Sequence, residues 1–271
     1  MKLKYFQLIS KNLRKKILDT IFLKKKGHIG GSFSCIDIII SIYFSGVFNL
    51  KKKDFLKKQN DIFILSKGHA AIALYAVLDR LRFSKHYNLS FFNKNGKKLM
   101  EHPSPQKGLL GIEVETGSLG NGLGVGTGIA YANLNLNKKK TIILVGDGEL
   151  YEGSNWEAML ACSNYKLSNL LLIVDRNYSI TLEKTENVMK LDNLKKKIEA
   201  FGFQVFVLDG HNYYNLISKL KFFNNKKNSK PTCLICETKK GKGSFLLESD
   251  LKFHHGIPTR DEYNIILREL R

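Results

Sequence analysis

Five short apolar runs, each closed off by polar or turn residues, punctuate the chain: Asp61 to Leu65, Thr141 to Val145, Leu170 to Val174, Gln204 to Leu208 and Thr232 to Glu237. They are too short for isolated helices, and most are apolar throughout rather than alternating. That is the pattern of parallel strands buried on both faces. Between them lie helical patterns. The first carries apolar residues at Leu3, Phe6, Leu8, Leu13, Ile17, Leu18 and Ile21 on a Lys-rich background. A second runs from Phe33 to Phe44 with Ser32 as its cap, and a third from Ala70 to Leu81. A helix of small residues covers Val125 to Leu134, and further helices span Asn193 to Phe201 and Tyr213 to Phe223. Strand alternating with helix predicts an α/β fold with a mostly parallel sheet. No internal repeat or low-complexity linker interrupts it, so residues 1–271 are expected to form one domain.

The stretch Thr141 to Asn177 is the centre of this pattern. Its first strand ends in Gly146-Asp147-Gly148, and Ser154-Asn155-Trp156-Glu157 has the spacing of a capping box and starts a helix. The second strand ends at Asp175-Arg176-Asn177. A βαβ unit makes the two strands parallel, which puts Asp147 and Asn177 side by side at the carboxyl edge, where open α/β sheets bind ligands. A carboxylate and an amide oxygen form a hard, oxygen-only pair that suits Mg²⁺ or Ca²⁺. A plain Asp-Gly turn with a surface Asn is the other reading of these residues alone.

Charge and cysteines change little. The net charge is +20, but the cations are 37 Lys against 7 Arg, scattered in short runs such as Lys51-Lys52-Lys53 and Lys138-Lys139-Lys140. Planar Arg forks are the usual readers of phosphates and base edges, so a nucleic-acid role is not expected. No apolar window is long enough to span a bilayer, and the amino terminus lacks a signal-peptide pattern, so a cytoplasmic protein is expected. Cys233-Leu234-Ile235-Cys236 lies within a strand; residues three apart point to opposite faces, and no second pair completes a zinc site. All four cysteines read as buried apolar residues.

Four histidines stand in glycine- or proline-marked segments: Gly27-His28-Ile29-Gly30-Gly31-Ser32, Ser66-Lys67-Gly68-His69, Glu101-His102-Pro103 and His255-Gly256-Ile257-Pro258. With Gly146-Asp147-Gly148, Asn177 thirty residues on, Thr116-Gly117-Ser118-Leu119-Gly120-Asn121-Gly122, Asp209-Gly210-His211 and Lys240-Gly241-Lys242-Gly243, they form an ordered set from Lys26 to Pro258. The set resembles the amino-terminal, thiamine diphosphate-binding section of the transketolase family. The resemblance implies a three-layer α/β/α thiamine diphosphate-binding fold. It implies that Asp147, Asn177 and the Ser179 carbonyl hold Mg²⁺ (or Ca²⁺) on the cofactor's diphosphate. His69, His255, Gly146 and Gly148 would lie at the diphosphate, and Gly117 and Leu119 against the cofactor's rings. His28 would reach the substrate side and His102 the donor sugar, while Glu152 and Glu157 would join an acidic network between protomers. His254 is expected on the surface, and His211 in a supporting role.

The sequence departs from the family at Glu101, where Gly is usual, at Ser179, where an apolar residue is usual, and at Leu182-Glu183, in place of Asp-Gly. Full-length members continue into a pyrimidine-binding domain, which supplies a Glu to the cofactor's aminopyrimidine ring. The resemblance therefore implies a split enzyme: this chain with a separate carboxy-terminal subunit, forming a hetero-oligomer such as a heterotetramer. Its reaction would be transfer of a two-carbon ketol unit from a ketose phosphate to an aldose phosphate. A deoxyxylulose-phosphate synthase-like or 2-oxo acid dehydrogenase-like subunit, or a non-catalytic cofactor- or nucleic-acid-binding relative, are the alternatives.

Overall fold

All five apolar runs are strands of one sheet: β1 (Ile62–Leu65), β2 (Thr141–Gly146), β3 (Leu170–Arg176), β4 (Gln204–Asp209) and β5 (Thr232–Glu237). The structure, a computed structural model, describes residues 3–136, 139–181, 183–225 and 230–270. Every pairing is parallel, in the order β1-β2-β3-β5-β4. The carboxyl ends of all five strands therefore point to one edge.

Eleven α-helices connect the described strands: α1 (Leu3–Lys24), α2 (Ile29–Phe44), α3 (Lys52–Leu56), α4 (Ala71–Arg80), α5 (Asn121–Leu136), α6 (Gly153–Asn164), α7 (Thr185–Val188), α8 (Leu194–Ala200), α9 (Tyr213–Asn225), α10 (Phe245–Ser249) and α11 (Arg260–Glu269). Side chains alternate along each strand, so the sheet has two apolar faces. Ile142, Leu144, Leu171, Ile173, Leu234 and Cys236 pack with α1, α2, α4 and α9 in one cluster. Ile143, Val145, Leu170, Leu172, Val174, Cys233 and Ile235 pack with α5, α6 and α8 in the other. The result is three layers, α/β/α. Cys233 and Cys236 fall in opposite clusters, as their spacing requires, and all four cysteines are buried and unbridged.

Local expectations are corrected in four helices. Helix α2 starts at Ile29 rather than Phe33, so Gly30, Gly31 and Ser32 form its first turn. The glycines there permit close approach instead of breaking the helix: a Cβ on Gly30 would lie 3.0 Å from the Phe253 carbonyl, and one on Gly31 would lie 3.3 Å from His69 Nε2. Ser32 is no cap; its hydroxyl donates to the His28 carbonyl at 2.6 Å. Helix α6 starts at Gly153 after the N-cap Glu152, and no capping box forms. Ser154 instead donates to the Gly120 carbonyl at 2.8 Å, which ties α6 to the glycine-rich turn. In α1, Leu3 and Leu8 are exposed while Phe6, Leu13, Ile17, Leu18 and Ile21 are buried. The helix α5 reaches back to Asn121, beyond the predicted Val125. The position of Leu182, and most of the polar run before Lys230, lie outside the described residues.

Candidate active site

The carboxyl edge gathers the residues that the strand pattern puts there. Asp147 follows β2 and is almost fully buried. Its Oδ1 accepts the Gly148 amide at 2.9 Å; its Oδ2 accepts the Tyr178 amide at 2.7 Å and Arg176 Nη1 at 3.2 Å. Burial raises the Asp147 carboxyl to about 6, against the opposing pull of Arg176. Asn177 follows β3, half-buried, with its amide oxygen accepting the Ser179 amide at 3.1 Å. Asp147, Asn177 and Ser179 line one cleft, with about 550 Å³ of empty space in and above it.

Two cations line the same cleft. Lys67, 1% exposed, donates to Asp175 at 2.5 Å, and Asp175 also accepts Ser34 and Thr238 hydroxyls. Lys240 donates to the Ile180 carbonyl at 2.7 Å, and burial followed by repulsion from Lys67 lowers it to about 8. Glu149 lies on the cleft floor. It accepts the Ser66 hydroxyl at 2.5 Å, the Gly120 amide at 3.0 Å and the Gly146 amide at 3.2 Å, and burial raises its pKa.

Histidines close the cleft. The His28 ring lies 5.4 Å from that of His69, 5.7 Å from His254 and 4.3 Å from His255. His254 is not on the surface: it is half-buried, lines the cleft, and lies 5.7 Å from the His69 ring. The 3₁₀ turn Leu251–His254 packs Phe253 into the core and so turns the next side chain inward. His255 is the more exposed of the pair, at the outer end of the cluster. Burial lowers His28 to about 4 and His254 to about 3, and holds His69 well below its ordinary value. His102 is exposed at the rim, packed over Gly117, whose φ of +154° and 3.1 Å ring contact leave no comfortable room for a Cβ. Leu119 and Gly148 line the cleft, Gly148 under Ile180.

Not every predicted site residue converges. Glu152 and Glu157 are exposed near the start of α6, and neither lines the cleft. His211 lies by Asp37: its Nε2 accepts the Lys239 amide at 2.9 Å, so its proton is on Nδ1, 2.7 Å from the carboxylate. Asp37 is further held by Arg14, Ser10 and Tyr213, which gives His211 a structural place joining β4 to the segment after β5. Sequence patterning alone does not pick out four cleft residues, Lys67, Glu149, Lys240 and His254, nor Arg176, which pairs with Asp147. Arg176 ends β3, and Lys67, Glu149 and Lys240 lie two or three residues beyond a strand, so proximity to a strand end was the available signal.

The residues fit a metal-bound diphosphate. Asp147 and Asn177 supply oxygen donors beside each other, a pattern for a hard divalent ion. Lys67, Lys240 and imidazoles with buried, unpartnered Nδ1 atoms at His28 and His254 suit an anion. Fold and cleft together define a cofactor-binding α/β protein with its site at the carboxyl edge of a parallel sheet. Residues 6–269 match the family model described as "Transketolase, thiamine diphosphate binding domain". The chain belongs to the transketolase family. It is 37% identical over 273 residues to one subunit of the apulose-4-phosphate transketolase of Phocaeicola vulgatus, covering 100% of this chain and 95% of that one. It is 36% identical to human transketolase over 234 residues, 86% of this chain but 36% of the human one. The transketolase structure from Campylobacter jejuni superposes with a TM-score of 0.88 at 28% identity, covering 100% of this chain and 43% of that one. This chain thus spans nearly all of the Phocaeicola subunit, and under half of the undivided enzymes. Among the described residues, no helix is long and apolar enough to cross a membrane.

Proposed function

We propose that this chain is the amino-terminal subunit of a two-component transketolase. With a carboxy-terminal subunit carrying the pyrimidine-binding domain, it would transfer a two-carbon ketol unit from a ketose phosphate to an aldose phosphate. The single observation that carries this reading is the convergence of Asp147 and Asn177 on one cleft with Lys67, Lys240, His28, His69 and His254. Bound thiamine diphosphate supplies the nucleophilic carbon and electron sink of the reaction.

The chain's own residues anchor and donate. Asp147, Asn177 and the Ser179 carbonyl hold Mg²⁺, and that contact needs only backbone at Ser179, so the departure from an apolar residue there leaves it intact. Lys240 and His69 neutralise and hydrogen-bond the diphosphate, and His255 serves its outer side. Gly117 lets the backbone approach the cofactor's rings, and Leu119 packs against them. His28 and His102, with His254, face the substrate, where imidazole N–H groups can donate hydrogen bonds to a developing alkoxide. Glu152 and Glu157, exposed on α6, are available to a neighbouring protomer.

We read the 271 residues as one domain, working in the cytoplasm on sugar phosphates of the pentose phosphate type, in a hetero-oligomer such as a heterotetramer. Four buried free thiols are compatible with a reducing compartment. Three relatives that this chain spans almost end to end are named as subunits, which supports a separate partner. The test is ketol transfer between ketose and aldose phosphates with thiamine diphosphate and Mg²⁺, run on the chain alone and with a carboxy-terminal subunit. Activity only in the mixture is expected. Full activity of the chain alone would contradict the two-component reading.

A further inference from the structure

Asp147 does not present its two oxygens equally. A carboxylate oxygen has two in-plane lone pairs. Oδ2 already accepts two donors, the Tyr178 amide at 2.7 Å and Arg176 Nη1 at 3.2 Å. Oδ1 accepts one, the Gly148 amide at 2.9 Å, and keeps a lone pair.

Arg176 is fixed for this task. It ends β3, is 2% exposed, and is the largest fully buried side chain among the described residues. Nη1 also donates to Thr185 Oγ1 at 2.9 Å, Nη2 pairs with Glu186 and reaches Asp192 at 3.5 Å, and the guanidinium lies 4.2 Å over the Tyr178 ring. Glu186 in turn accepts the Leu191 and Asp192 amides. The guanidinium therefore joins the Asp147 turn to the 183–192 segment, paired with acids on both sides.

We infer that Arg176 sets the metal preference of the site, by occupying Oδ2 of Asp147 and leaving Oδ1 as a single-oxygen ligand. This rests on the metal-diphosphate reading above. Mg²⁺ takes near-octahedral geometry with single-oxygen carboxylates at about 2.0–2.1 Å, whereas Ca²⁺ accepts two-oxygen carboxylates and six to eight ligands at about 2.3–2.6 Å. A carboxylate whose second oxygen is occupied favours the smaller ion.

The test is the ratio of thiamine diphosphate affinities in saturating Ca²⁺ and saturating Mg²⁺, by calorimetry on the full chain. Arg176→Met frees one lone pair of Oδ2, which keeps the Tyr178 amide, and Glu186 and Asp192 are exposed enough to return to water, so the fold is expected to survive; a thermal melt checks this. In Arg176→Met the Ca²⁺-to-Mg²⁺ affinity ratio is expected to rise by about fivefold or more, because the freed oxygen serves the larger ion. Arg176→Lys, which keeps a cationic donor, is expected to stay near the unsubstituted ratio. A role in stability alone would weaken binding with both ions equally and leave the ratio unmoved, and that result would overturn the inference. Absence of metal-dependent binding in the unsubstituted chain is a separate failure; it would overturn the metal site and the inference together.

Discussion

Burial disfavours the charged form of three cleft imidazoles, His28, His69 and His254. His28 at about 4, His254 at about 3 and His69 well below its ordinary value all bind fewer protons folded than unfolded. Where the unfolded state binds more protons, stability rises with pH. This contribution is therefore intact above the unfolded value near 6.5 and is lost as pH falls from there toward about 3. The melting temperature of the cofactor-free chain should drop across that window, and His254→Gln should make the drop shallower. An equal slope in the variant would show that His254 is already charged or solvated. At this scale the sequence revealed half of the site. Asp147, Asn177 and His69 were legible because short side chains at strand ends go where the backbone sends them. Lys67, Lys240 and Arg176 were not, since a long cation in a Lys-rich chain reads as a solvated surface residue until its burial and its acidic or carbonyl partner are known.

Helix α5 shows what element-scale patterning encodes and conceals. Gly122, Gly126 and Ala130 recur every four residues and are buried, so they share the face toward the sheet. A Cβ on Gly126 would lie 2.5 Å from Ile143 Cδ1 and 3.2 Å from Ile64 Cδ1. Gly124 and Gly128 are exposed with open space around them. The substitution Gly126→Ala should therefore destabilise, by about 1–3 kcal/mol of overpacking less the roughly 1 kcal/mol that Ala gains in a helix. Gly128→Ala should instead stabilise by about 0.5–1 kcal/mol in urea unfolding of the chain alone. Equal effects at both positions would refute the close packing of α5. The start of this helix was illegible because Gly-Asn-Gly reads as a turn. The same heuristic misplaced the start of α2. In both cases glycine serves tertiary approach, which no local rule contains. Strands were legible almost to the residue, because a short, uniformly apolar run between turn residues fits a strand buried on both faces and little else.

Across the whole molecule, parallel pairing of all five described strands concentrates chemistry on one edge. Residues at or just beyond the ends of β1, β2, β3 and β5 meet there although they are spread along the chain from Lys67 to His254. Their order and spacing made the family legible; spacing could not reveal which imidazole turns inward, since His254 and His255 differ only by the turn before them. The central claim is that this edge is a metal-dependent thiamine diphosphate site with Asp147 as a ligand. The most direct measurement is a thiamine diphosphate titration with and without Mg²⁺, on the unsubstituted chain and on Asp147→Ala, with a melt of each to confirm folding. The expected result is Mg²⁺-dependent binding that Asp147→Ala abolishes while remaining folded. Undiminished, Mg²⁺-dependent binding by a folded Asp147→Ala chain would contradict the assignment.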